Sequence, residues 1–132
     1  MADAAVPLVE DSIFLPPDPT SPRKIRRFMT EALGGAGFDA ELVDTAVLLA
    51  SELTTNAVLH ARSDIGVTIK VLDGCLRVEV ADENPRLPTA TFVSGDALSG
   101  RGLNLVQSAA GSWGIESRDS GKVVWFELDI PS

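Results

Sequence analysis

Asp39-Ala-Glu-Leu-Val-Asp-Thr-Ala-Val-Leu-Leu-Ala-Ser-Glu-Leu-Thr-Thr-Asn-Ala-Val-Leu-His-Ala-Arg62 decides how the rest of the chain is read. Asp39 is placed to cap a helix, and neither glycine nor proline interrupts the sequence until Gly66. Leu42, Val43, Ala46, Val47, Leu49, Ala50, Leu53, Ala57 and Val58 cover a wide arc of that helix, which predicts a largely buried element. Glu52, Asn56 and His60 recur every four residues, so a carboxylate, an amide and an imidazole share one stripe. A polar stripe set among apolar residues needs partners. A ligand carrying a metal ion would supply them, and this helix is where function is expected.

On the C-terminal side the pattern changes from helical to alternating. Val67, Ile69 and Val71 alternate with Thr68 and Lys70, and after Asp73-Gly74 the residues Leu76, Val78 and Val80 alternate with Arg77 and Glu79. Asp-Gly between two period-two runs predicts a tight hairpin. A strict two-residue loop sets Lys70 opposite Arg77, a like-charge conflict that leaves the register open. Residues 85–99 read as a loop punctuated by Pro85, Pro88 and Gly95. Gly100-Arg101-Gly102 then precedes a short helix from Leu103 to Ala110, closed by Gly111. A second hairpin follows, from Trp113 to Arg118 and from Lys122 to Ile130, around Asp119-Ser120-Gly121.

On the N-terminal side, Ser21-Pro22 reads as N-cap and first residue of another helix, running to about Leu33 and stopped by Gly34-Gly35. Its Arg23, Lys24, Arg26 and Arg27 form the main basic cluster, read as a solvated face, with a docking patch for an acidic partner as the lesser alternative. Leu8 to Leu15 suits an edge strand ended by Pro16-Pro17-Asp18-Pro19, and residues 1–12 suit a flexible N-terminal segment. Strand, two helices, hairpin, loop, helix and hairpin make an α+β, two-layer sandwich, with helices on one face of a mostly antiparallel sheet.

Composition narrows the class. The length of 132 residues suits one domain with a real core. A net charge of -8 argues against non-specific nucleic-acid binding and against anionic membranes. It leaves a nucleotide ligand open, because a divalent cation can override the global sign. Cys75 is the lone cysteine, so no internal disulfide forms, and it reads as a packing residue. The opening Met1 to Glu10 lacks a basic start and a long apolar stretch, and no uncharged apolar run approaches the ~18 residues of a membrane span. A cytoplasmic location is the expectation.

Four stretches, in order, resemble the boxes of the GHKL (Bergerat) ATP-binding fold shared by gyrase, histidine kinases and MutL. Glu52 to His60 resembles its N-box. Asp82-Glu83-Asn84-Pro85-Arg86-Leu87-Pro88 resembles its first glycine box and Gly100-Arg101-Gly102-Leu103-Asn104-Leu105-Val106 its second. Lys122 to Leu128 resembles its closing strand. The Glu-Leu-x-x-Asn-Ala form and the short length resemble the anti-sigma-factor serine/threonine kinases, in particular small stand-alone members of actinobacteria. One departure stands out: Asn84 lies where the first glycine box usually carries Gly or Ser. Asn tolerates left-handed backbone better than most residues.

The resemblance implies a role for each position. Asp82 would accept a hydrogen bond from the adenine amino group, the alternative being a turn-capping Asp. Asn56 would offer its amide oxygen to Mg²⁺, or else be a buried Asn satisfied by backbone. Glu52 would activate the attacking hydroxyl, or else be a salt-bridged helix residue. Arg101, between Gly100 and Gly102, would neutralise γ-phosphate charge and act with Glu52 in catalysis. His60, Asn84 and Leu103 complete the nucleotide-binding set by resemblance. His60 equally suits a packed helix end, and Leu103 a core position.

The implied function is an ATP- and Mg²⁺-dependent protein serine/threonine kinase. It would phosphorylate an anti-anti-sigma (STAS-type) partner and regulate a sigma factor, with no direct contact to nucleic acid or membrane and with a homodimer left open. The alternative is a non-catalytic nucleotide-binding module that acts by sequestering a partner. The catalytic half of a histidine kinase fits poorly, since the single histidine, His60, lies inside the ATP box.

Overall fold

Alternation along two adjacent strands builds the platform of the molecule. The computed structural model describes residues 9–72, 74–84, 111–118 and 121–130. Strand β2 (Ile65–Leu72) and strand β3 (Cys75–Asp82) pair antiparallel, each burying every second residue. Ile65, Val67, Ile69 and Val71 from β2, and Leu76, Val78 and Val80 from β3, are all at most 2% exposed. This is the burial expected of a sheet with one face on the core. Leu72 pairs with Cys75, so the connection is two residues long, and Gly74 takes a φ of 79° that suits glycine.

The strict register does place Lys70 opposite Arg77. The outer face resolves the conflict with carboxylates from neighbouring strands. Arg77 Nε donates to Glu79 Oε2 at 2.8 Å and Arg77 Nη1 to Glu127 Oε2 at 2.9 Å. Lys70 Nζ lies 3.6 Å from the same Glu79 oxygen. The Arg77 guanidinium also stacks 4.3 Å from the Trp125 ring centroid.

Three further strands complete a five-stranded antiparallel sheet of order β1-β2-β3-β5-β4, with β1 at Val9–Leu15, β4 at Ser112–Arg118 and β5 at Gly121–Asp129. The expected edge strand and second hairpin are therefore present. The loop 85–99, the helix 103–110, Leu8, Asp73 and residues 119–120 lie outside the described residues.

Helix α1 (Ser21–Gly35) buries Ile25, Met29 and Leu33, one turn apart, and exposes Arg23, Lys24, Arg26 and Arg27. Its N-cap is Thr20, not the expected Ser21. The Ser21 hydroxyl instead donates to the carbonyl of Pro16 at 2.7 Å, tying the proline turn to the helix start. Asp18 accepts from both the amide and the hydroxyl of Thr20. Gly34 and Gly35 sit inside the last turn, and Ala36 forms the C-cap.

Helix α2 (Ala40–His60) packs beside α1 on the sheet, and its Leu42, Val43, Ala46, Leu49, Ala50, Leu53 and Ala57 join the core with Phe126 and Leu128 of β5. By length and mean hydropathy α2 could cross a membrane, yet 56% of the relevant window is buried inside the protein. That burial, with Glu41, Asp44 and Glu52 on the helix, fits a core helix.

Candidate functional site

The end of the sheet that holds the C-terminus of β3 meets the last two turns of α2. Leu53, Asn56, Ala57, His60 and Ala61 of that helical region line one wall of a cleft there. Val80 and Asp82 of β3, with Lys122 and Val124 of β5, line the other. Asn56 is 4% exposed and Asp82 9%, so an amide and a carboxylate from distant parts of the sequence meet in a mostly apolar recess. The void is small, about 30 Å³, with room for one or two waters.

The polar stripe of α2 runs from inside to outside. Glu52 is half-buried, Asn56 buried and His60 exposed. Asn56 and His60 line the cleft, whereas Glu52 lies one turn further along the helix and is not among the lining residues. The next turn carries its own satisfied polar groups: Thr54 Oγ1 donates to Ala50 O at 2.8 Å and Thr55 Oγ1 to Ser51 O at 2.9 Å. The expectation that the whole stripe faces inward thus holds for Asn56 and fails for His60, which lines the cleft but is exposed.

Asp82 sits where the alternation of β3 demands an inward side chain, two residues after Val80. Directly across the ladder is Lys122 of β5. Lys122 Nζ lies 3.1 Å from each Asp82 carboxylate oxygen and 3.3 Å from the backbone oxygen of Asn84. Both side chains are buried, at 9% and 5% exposure, so this is an interior ion pair. The amide of Asn84 also donates to Asp82 Oδ1 at 2.8 Å, closing an Asx turn. Asp82 is therefore a turn-capping residue as well as a cleft residue. Asn84 reaches this turn without left-handed backbone. Among the described non-glycine residues only Arg62 has a positive φ, at 55°. The turn is held by the Asp82 carboxylate and by Glu83 N donating to Ser63 Oγ at 2.8 Å.

Gly121 fixes the approach of the two strands. A Cβ there would overlap the carbonyl oxygen of Asp82 and lie 2.8 Å from Glu83 Cα. Only glycine lets β5 pass this close to the end of β3.

Lys122 and Gly121 were not singled out from the sequence, although a signal was present. Lys122, Val124, Phe126 and Leu128 alternate inward on β5, so the first member is a cation at a core-facing position. The same alternation puts Asp82 after Leu76, Val78 and Val80. Two opposite charges on core faces, one ending β3 and the other opening β5, point to a buried pair. Gly100, Arg101, Gly102 and Leu103, the second glycine box, lie outside the described residues. Cys75 is half-buried; burial, together with the nearby Glu127 and Asp129, pushes its thiol above the usual value, which suits an inert packing role.

Two helices laid on one face of an antiparallel sheet, with a buried amide and a buried carboxylate at one cleft, make an α+β domain with a polar recess between helix and sheet. Residues 15–128 match the histidine kinase-like ATPase domain, and the chain belongs to that family. The RsbU and RsbW domains of Rv1364c from Mycobacterium tuberculosis share the fold, with a TM-score of 0.70 at 21% identity. The match covers 96% of this chain and 34% of that one, so this chain spans about a third of the solved relative. The histidine kinase domain of the Erythrobacter litoralis EL346 blue-light activated histidine kinase matches at a TM-score of 0.57 and 22% identity, over 83% of this chain and 59% of that one. The Acinetobacter baumannii histidine kinase AdeS matches at 0.56 and 12%, over 95% and 70%. No curated protein matches the chain.

Proposed function

We propose that this domain binds ATP with Mg²⁺ in the cleft between α2 and the β3–β5 end of the sheet and transfers the γ-phosphate to a serine or threonine of an anti-anti-sigma partner, so regulating a sigma factor in the cytoplasm. The observation that carries the reading is the convergence of Asn56 and Asp82 on one recess. The fold shared with a solved chain that includes an RsbW domain supports the anti-sigma branch over the histidine kinases.

The donor set fits the metal. Among the described residues no group of three His, Cys, Asp or Glu could hold an ion. A single oxygen donor such as the Asn56 amide suits Mg²⁺, which keeps waters and takes its other ligands from phosphates. The bound ion would neutralise phosphate charge. Asp82 would read the base, His60 would stand at the cleft mouth, and Arg101 with its flanking glycines would face the phosphates. Glu52, one turn behind Asn56, would orient the partner's hydroxyl.

The test is transfer of radiolabelled phosphate from ATP to a purified STAS-type protein of the same organism. Glu52→Gln should keep ATP binding and lose transfer. Full transfer by Glu52→Gln would remove Glu52 from the mechanism. A second reading, a regulatory module without catalysis, draws on one observation: Asp82 already holds an internal cation. Partner affinity that is the same with and without ATP, with no transfer, would favour it.

A further inference from the structure

We propose that Lys122 is a specificity-determining residue that works through Asp82, as a tethered competitor for the carboxylate that would read the base. The inference rests on the assignment of the cleft to a nucleotide. Asp82 Oδ1 accepts from the amide of Asn84 and from Lys122 Nζ, and Oδ2 lies 3.1 Å from the same ammonium. The ammonium thus spans both carboxylate oxygens and is anchored a third time by the backbone oxygen of Asn84. A nucleobase amine is a neutral donor, whereas the ammonium adds the attraction of a full opposite charge to its hydrogen bonds. The lysine is also covalently held in register opposite Asp82, so it meets the carboxylate at no cost in association entropy.

Space points the same way. Lys122 is itself a wall of the cleft beside Asp82, so the two side chains share the space a base would use. A base that reached Asp82 would have to move the lysine or dock beside it. Beside the lysine the base meets a neutralised carboxylate; to move the lysine it has to break the ion pair, and both weaken what is left for the base to gain from the carboxylate. Its power to select a 6-amino purine over a 6-oxo purine is blunted in the native chain. Removing the ammonium leaves Asp82 Oδ1 with the amide of Asn84 and frees Oδ2 for a donor from the ligand, which is the condition for strong discrimination.

Calorimetric titration of the full chain with Mg-ATP, Mg-GTP and the triphosphate of unsubstituted purine riboside tests this. In the native protein, loss of the 6-amino group should change affinity by less than about threefold. A tenfold or greater loss would show that the amine already bonds Asp82 and would overturn the proposal; this arm needs no variant to fold. In Lys122→Met, which keeps an apolar stem, ATP should bind at least ~10-fold tighter and the ATP-to-GTP ratio should rise by a similar factor. Lys122→Arg should keep the native pattern. Equal or weaker ATP binding by a folded Lys122→Met protein would overturn the competitor role while leaving the nucleotide site standing. No nucleotide binding by either protein at millimolar concentration would overturn the site assignment and this inference together.

Discussion

Replacing Asp82 with Asn should destabilise the ligand-free protein far more than a typical surface change. The Lys122 side chain is 9% exposed and its ammonium has Asp82 as its one carboxylate partner among the described ion pairs. Asp82→Asn keeps the shape and leaves a buried, uncompensated cation. Breaking such a pair from one side costs about 3–5 kcal/mol. With a urea m-value of about 2 kcal/mol/M, the unfolding midpoint should fall by roughly 1.5–2.5 M. Lys122→Met should be destabilising too, because it orphans the carboxylate. The double variant Asp82→Asn/Lys122→Met should recover most of the loss, since an isosteric replacement of both partners is often close to neutral. Urea unfolding followed by the fluorescence of Trp113 and Trp125 measures all four corners of the cycle. Additivity of the two single changes to within about 0.5 kcal/mol would refute the reasoning, because it would mean the ions do not feel each other. A practical consequence is that Asp82→Asn has to be judged by direct binding, since a shift in melting temperature would mix lost affinity with lost stability.

Three other outcomes are expected. Gly121→Ala should lower stability by about 1–3 kcal/mol and weaken nucleotide binding together, because the new methyl meets the backbone of Asp82 and Glu83; unfolding and titration of one sample check both. Arg62→Gly should raise stability by about 0.5–1 kcal/mol in urea unfolding, as it relieves a non-glycine φ of 55° just after α2. In acid, burial pushes the Glu79 carboxyl up, but the hydrogen bond from Arg77 and the charges of Lys70 and Arg77 outweigh it and hold the group below its usual value of 4.5. A depressed carboxylate contributes stability above its unfolded pKa and loses it as pH falls through the folded one. Stability should therefore drop as pH falls below about 4.5, and less so in Glu79→Gln.

Much of the fold could be read from period alone. The β2–β3 hairpin followed from alternation and one Asp-Gly pair, and α2 from a wide apolar arc. What period could not supply was the reach of one strand onto another. The Lys70–Arg77 conflict looked unfavourable from one hairpin and is resolved by Glu127, a residue of β5 that is distant in sequence. The Ser21 cap failed because its hydroxyl has a partner in the carbonyl of Pro16, within the proline turn just before the helix, which capping propensity alone does not see. At the site, Asp82 and Asn56 were legible because boxes of residues announced them. Lys122 went unread because a lysine in a charged, alternating strand looks like solvent-facing material until the inward parity of Val124, Phe126 and Leu128 is counted. The tolerance of Asn84 for left-handed backbone is not called on, because the Asp82 carboxylate holds that turn by hydrogen bonding.

The central claim is that the α2–β3–β5 cleft binds a magnesium nucleotide through Asn56. Titration of native protein and of Asn56→Ala with Mg-ATP, with folding checked by circular dichroism, tests it most directly. The account predicts saturable one-to-one binding by the native chain and at least ~10-fold weaker binding by the variant, about the effect of losing one charge-assisted contact. Equal affinity in the two proteins, or no binding by the native chain at millimolar Mg-ATP, would contradict it.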